Sequence, residues 1–153
     1  MKLIIAEKPS LARNIVAGIG RAQLKYAEEH RDRKEKIYRR YEEGFKGLPV
    51  SMNPYEEGTK PNFWLSCMLI DEGCAVDPMT VMQALADANV EARPIWKPMH
   101  MQPIYREHPF VSAEDNCDIG ADLFARGLCL PSDNKMTPEE QDVIIEAVKN
   151  CFR

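Results

Sequence analysis

The 153-residue sequence contains no Cys-x-x-Cys pair and only three histidines, and no apolar run in it comes near the length of a membrane span. Its five cysteines, Cys67, Cys74, Cys117, Cys129 and Cys151, are odd in number and lack metal-ligand spacing. That excludes a zinc-ribbon type of site and predicts reduced thiols, with Cys67 and Cys129 serving as small hydrophobes inside apolar runs. A spanning helix needs about 20 apolar residues, and the opening Met1-Lys-Leu-Ile-Ile-Ala6 is too short even for the core of a signal peptide. The expectation is therefore a cytoplasmic protein with no membrane partner and no metal. His30 falls in a charged helical stretch and His108 in a polar loop, and both read as surface residues.

A single strong sign of charge is also missing. The net charge is −4, with +5 on residues 1–46 and −9 on residues 47–153. In the basic part Arg31, Arg33, Lys34, Lys36, Arg39 and Arg40 alternate with Asp32, Glu35, Glu42 and Glu43. Mixed signs at helical spacing predict a solvated face laced with i,i+4 pairs, which argues against nucleic acid as a partner.

The chain does contain enough residues for one domain with a moderate core. Leu3–Ala6 reads as a short strand, and Ser10 as the cap of a long helix reaching about Phe45, with a break expected at Gly18 and Gly20. Ile37, Tyr38, Tyr41 and Phe45 form an apolar stripe on its last turns. Residues 48–61 read as a loop. Phe63–Ile70 reads as a central strand, apolar on both faces and so covered on both sides. Asp77-Pro78 predicts a capped helix to Asp87, with Val81, Met82, Leu85 and Ala86 inward. A short extended piece, Ala92–Ile95, a polar loop at 106–117, a helix near Ile119–Ala125 and a strand at Leu128–Leu130 follow. Thr137-Pro-Glu-Glu140 is a capping box opening a last helix, whose buried face is Val143, Ile144, Ala147 and Val148. This alternation predicts an α/β fold with a small mixed sheet packed with helices.

Arg93-Pro-Ile-Trp-Lys-Pro-Met-His-Met-Gln-Pro103 stands out. Its three prolines favour an extended backbone, which carries a guanidinium, an indole, an ammonium and an imidazole. One reading is a buried connection with Trp96 and the methionines as core filler. The other is a set of fixed donors with an aromatic face for an anionic, ring-bearing ligand.

This segment resembles the C-terminal signature of the DegT/DnrJ/EryC1/StrS family of pyridoxal-phosphate sugar aminotransferases. Asn14–Leu24, Lys60–Asp71, Arg126–Ser132 and Met136–Asp142 are similar to further family segments in the same order. The resemblance implies that residues 14–153 are the small C-terminal domain of a fold-type I enzyme, preceded by a long helix. The intact enzyme would transfer an amino group from glutamate to a keto sugar nucleotide for surface polysaccharide. It also implies that Arg93, Trp96, Lys97 and His100 bind the nucleotide sugar, through phosphate contacts from Arg93 and Lys97, stacking by Trp96 and donation by His100. No lysine here matches the family's cofactor lysine, so neither pyridoxal phosphate binding nor catalysis is expected of this chain alone. A homodimer or a separately encoded large domain is the expected partner. Residues 1–13 instead resemble the start of type IA topoisomerases, with Glu7 and Lys8 matching. That family's Asp-x-Asp magnesium pair occurs nowhere in the chain, so a borrowed start is expected, not a working topoisomerase.

Overall fold

The computed structural model describes residues 9–112, 114 and 117–153, with side chains from residue 16 onward. The expected strand Leu3–Ala6 lies outside the described residues. Five α-helices and four strands follow in the order α1 (Pro9–Leu24), α2 (Ala27–Gly44), β1 (Val50–Met52), β2 (Ser66–Ile70), α3 (Pro78–Asp87), β3 (Arg93–Pro94), α4 (Ile119–Arg126), β4 (Gly127–Leu130) and α5 (Pro138–Cys151). The fold is α/β, with helices packed on a small sheet.

The sheet order is β1-β2-β4-β3, and every neighbouring pair is antiparallel. The mixed sheet expected from the alternation of elements is corrected here, for a topological reason. Strands β2 and β3 both oppose β4, so they run parallel to each other and are joined by α3, but β4 is inserted between them. The result is a split βαβ unit with no parallel hydrogen-bonded pair.

Even-numbered residues of β2 and β4 point into the core. Met68, Ile70, Leu128 and Leu130 pack with Ile37, Tyr41 and Phe45 beside α2, Val81 and Leu85 of α3, and Ile144, Ile145 and Val148 of α5. The predicted stripe on α2 is buried as expected. Two tyrosines on it also satisfy carbonyls where the chain is irregular: Tyr38 Oη donates to Asn53 O at 2.8 Å and Tyr41 Oη to Pro131 O at 2.9 Å. Burial pushes the Tyr41 phenol well above its ordinary pKa, so it stays a donor. Gln141 of α5 is buried and spends its amide on the Ile37 carbonyl at 2.7 Å.

Helix ends follow the sequence signals closely. Asp77 Oδ1 accepts from Thr80 N at 2.7 Å, with Pro78 in the first turn, and this backbone donation holds the Asp77 carboxyl below the usual carboxylate range. Thr137 and Glu140 form the reciprocal capping box. Helix α3 stops in a Schellman arrangement. Asn89 sits at φ 59° and Val90 N bonds to Leu85 O at 2.9 Å.

Several expectations need correction. The long N-terminal helix breaks at Lys25–Tyr26, not at Gly18 and Gly20, which lie inside α1 with open space around them. An interior glycine costs only about 1 kcal/mol and does not by itself end a helix. Residues 50–52 form a strand where a loop was expected; three residues between Pro49 and Pro54 are too few to show periodicity. Strand β2 starts at Ser66, not Phe63, because Phe63 takes φ 49° while buried against Tyr38, ring centroids 5.1 Å apart. That left-handed residue interrupts the alternation and turns Trp64 outward. Ala86 and Val143 are exposed, and Ile145 takes the inward place expected of Val143. Finally, β2 is interior in the sheet, but only one of its faces is fully covered. Cys67 and Leu69 on the other face are half-buried.

Candidate functional site

The uncovered side of the sheet is where the proline-rich strip runs. Leaving β3, the chain makes two single 3-10 turns, Met99–Met101 and Pro103–Tyr105. This replaces the continuously extended strip expected from its prolines. Pro98 and Gln102 are extended, at ψ 148° and 144°. Each precedes a turn closed by an i→i+3 bond, Met101 N to Pro98 O at 3.1 Å and Tyr105 N to Gln102 O at 3.0 Å. Proline tolerates such starts because its missing N–H would be unpaired there in any case.

The strip is not core filler. Trp96 is 63% exposed and Trp64, beside it, 64%, with ring centroids 6.2 Å apart and planes at 37°. Met99, Ile104 and Phe110 are exposed as well. Exposed apolar side chains of this size, with two indoles side by side, give this face the composition of a contact surface.

The four candidate residues divide into two groups. Arg93 and Lys97 are exposed near the tryptophans. Arg93 holds Glu91 through Nε and Nη2, at 2.9 and 2.7 Å to the same oxygen. The Lys97 ammonium lies over the Phe124 ring of α4, 5.9 Å from its centroid, a cation–π contact that leaves its hydrogens open. His100 is different. Its Nε2 is 2.6 Å from Asp118 Oδ2, and its ring stacks on Phe110 at 3.9 Å. The other oxygen of Asp118 caps α4 by accepting from Ala121 N at 2.9 Å. His100 therefore anchors the strip to the start of α4 and borders a depression of about 460 Å³ shared with Pro98, Phe110 and Asp118. Arg93, Trp96 and Lys97 line neither this depression nor the larger one, of about 590 Å³, between Val90, Met136 and Ile144.

Sequence reasoning missed Trp64, Glu91, Asp118 and the pairing of two cysteines. Asp118 carried a signal, since an acidic residue immediately before a predicted helix is an N-cap candidate. The cysteine pairing carried none, because Cys67 and Cys129 are 62 residues apart and meet only through the β2–β4 register.

The basic face of α2 is neutralised within itself. Arg31 pairs with Glu28, Asp32 and Glu35, Arg33 with Glu29, and Arg39 with Glu35 and Glu42. No cluster of metal-binding side chains occurs among the described residues, and none of their helices is long and apolar enough to cross a membrane.

Residues 12–149 match the DegT/DnrJ/EryC1/StrS aminotransferase family. The chain belongs to that family. It is 39% identical over 140 residues to EpsN of Bacillus subtilis, which is assigned to the pyridoxal phosphate-dependent aminotransferases; the match takes in 91% of this chain and 36% of EpsN. It is 28% identical over 139 residues to GDP-perosamine synthase of Vibrio cholerae, covering 91% of this chain and 37% of the synthase. Among solved structures it superposes on Spr1654 of Streptococcus pneumoniae, described as a sugar aminotransferase and captured in its PMP form. There the TM-score is 0.74 and the identity 25%, over 90% of this chain and 34% of the other. The chain thus spans about a third of the length of the relatives it matches. The family match begins at residue 12, and the likeness of residues 1–13 to type IA topoisomerases gains no support.

The family depends on pyridoxal phosphate, which requires a lysine amine held desolvated in an enclosed pocket. The described residues do not fit that group. Lys97 is exposed on an open surface. Burial does lower the pKa of Lys34, but its ammonium is spent on the Ser132 carbonyl.

Proposed function

We propose that residues 14–153 are the small C-terminal domain, with its leading helix, of a cytoplasmic sugar-nucleotide aminotransferase that moves an amino group from glutamate to a keto sugar nucleotide in surface-polysaccharide synthesis. Residues 1–11 precede the family match, and Pro9–Arg13 form the first turns of the leading helix. The observation that carries the reading is the coincidence of the family match with an exposed aromatic and cationic patch on the sheet's uncovered side. In this reading Arg93 and Lys97 meet the diphosphate and Trp96 packs against the ring-bearing part of the ligand. Both cations have chemistry suited to that role, a planar fork and a mobile point charge. His100 acts at one remove, fixing the strip through Asp118 while its ring borders the depression beside it.

These residues alone are not a catalyst, because the amine that would hold the cofactor is not among them. Purified chain mixed with pyridoxal phosphate and reduced with borohydride should give no stoichiometric lysine adduct. An adduct mapped to Lys97 or Lys34 would overturn the reading. The positive test replaces the matching segment of Vibrio cholerae GDP-perosamine synthase with residues 14–153 and measures GDP-perosamine formation. A folded chimera that binds the cofactor but forms no GDP-perosamine would contradict the assignment.

A second reading is favoured by the exposed Trp64, Trp96 and Met99: a module, not itself an enzyme, that completes a separately produced large domain or pairs with a second copy. Co-purification with the remaining two-thirds of a relative, produced as its own polypeptide, supports it. Failure of the two pieces to associate counts against it.

A further inference from the structure

We propose that Cys67 and Cys129 form a dithiol site that closes reversibly to a cross-strand disulfide by exchange with low-molecular-weight disulfides. The two residues face each other across β2 and β4, and their sulfurs are 3.6 Å apart. Backbone bonding defines the kind of pair they make. Asn53 N donates to Cys67 O at 2.9 Å and Cys67 N to the Asn53 side chain at 2.8 Å, so the Cys67 peptide groups point away from β4. Cys67 and Cys129 are therefore a non-hydrogen-bonded pair, the type whose Cα atoms stand about 4.5 Å apart and whose side chains approach most closely. That spacing lies at the short end of the range a disulfide bridges, roughly 4.4–6.8 Å. Small rotations about the two Cα–Cβ bonds bring the sulfurs from contact to bonding distance with no shift of register.

The pair lies on the half-open face of the sheet, and both thiols are half-buried, unlike the sealed residues of the opposite face. In the next strand Arg93 stands directly across from Cys129, with its guanidinium engaged by Glu91. The two thiols are also unequal. The two sulfurs share one hydrogen bond, in which either can be the donor, and it pulls the Cys129 thiol down to about 7. Cys67 is pushed well above its ordinary range by that same bond and by burial.

The chemistry balances as two successive exchanges. The Cys129 thiolate attacks one sulfur of the disulfide RSSR, forming a mixed disulfide and releasing RS⁻. Cys67 then loses its proton, and its thiolate attacks the Cys129 sulfur and expels the second RS⁻. Two electrons pass from the protein to RSSR, and the two protons end on the two RSH. A bridge made at a short, partly exposed site is readily reduced again.

The test uses the reduced, folded chain with oxidised glutathione, followed by non-reducing peptide mapping. Two of the five thiols should be lost, and the single cross-linked pair should be Cys67–Cys129, restored by dithiothreitol. In Cys67→Ser, glutathione should remain attached at Cys129, since no resolving thiol is present. With the unsubstituted chain, iodoacetamide should alkylate Cys129 at least ~10-fold faster than Cys67 at neutral pH, the ratio expected for thiolate fractions a pKa unit or more apart. Its rate should rise with pH to half-maximum near pH 7. Persistence of five free thiols under oxidation, or a bridge joining any other pair, would overturn the proposal. Because mapping needs no substitution, that outcome stands even if Cys67→Ser fails to fold.

Discussion

On one face of the sheet Met68, Ile70, Leu128 and Leu130 lie against α2, α3 and α5. On the other, Cys67, Leu69 and Cys129 are half-buried near α4 and a strip of chain whose tryptophan is exposed. The same two central strands serve both faces, so the contrast is not one of secondary structure. The first face is closed by residues of this chain, and its composition follows from burial alone. The second carries indoles, cations and thiols at positions where a self-sufficient domain would place either polar side chains or a covering helix. A surface of that composition supports the proposed reading, in which another domain covers it.

The largest expected effect tests the contrast directly. Leu128→Ala, at a fully buried position, should cost about 2–5 kcal/mol in urea unfolding. Trp96→Ala removes more atoms but from an exposed site, and should cost less than about 1 kcal/mol, the scale of a single aromatic pair. Equal costs would mean that the two faces do not differ.

Gly127 sharpens the comparison because it sits where the faces meet. It is buried with an ordinary extended backbone, yet an added Cβ would strike the Ile95 side chain and come within 2.6 Å of the Leu123 carbonyl oxygen. Gly127→Ala should destabilise by about 1–3 kcal/mol, as overpacking does, because a carbonyl cannot rotate away. A neutral result would show that the α4 side of the sheet is loosely held.

Within the strip, His100→Ala should cost about 1 kcal/mol through the lost bond to Asp118 and the α4 cap it supports. Arg93→Ala and Lys97→Ala should stay within about 0.5 kcal/mol, as exposed positions do. Thermal melts of the three variants separate the anchor from the two open cations; a cost at Arg93 matching that at His100 would make Arg93 structural.

The closed face was far more legible in the sequence than the open one. Apolar periodicity located the α2 stripe, and the Asp77-Pro78 and Thr137–Glu140 signals gave both capped helices, because those features are local and each element buries one face. Ile145 exchanged places with Val143 since a helix stripe wide enough to face both α2 and α3 shifts by a residue without changing its pattern. On the open face the sequence suggested a continuously extended strip or a buried connection, and the structure has neither. The turns after Pro98 and Gln102 depend on hydrogen bonds that composition does not report. The exposure of Trp96 follows from what does not pack on it. The cysteine pair depends on a register set by partners 62 residues away.

In the proposed function Arg93, Trp96 and Lys97 are one wall of a nucleotide-sugar site completed by chain beyond this domain. The measurement closest to it is the KM for the keto sugar nucleotide in the GDP-perosamine synthase chimera, with Arg93, Trp96, Lys97 and, as a control away from the strip, the exposed Val143 of α5 each changed to alanine. KM should rise for the first three, with kcat nearly unchanged, because binding common to ground state and transition state is removed, and should not change for Val143. An active chimera whose KM is indifferent to all of the strip changes would contradict it.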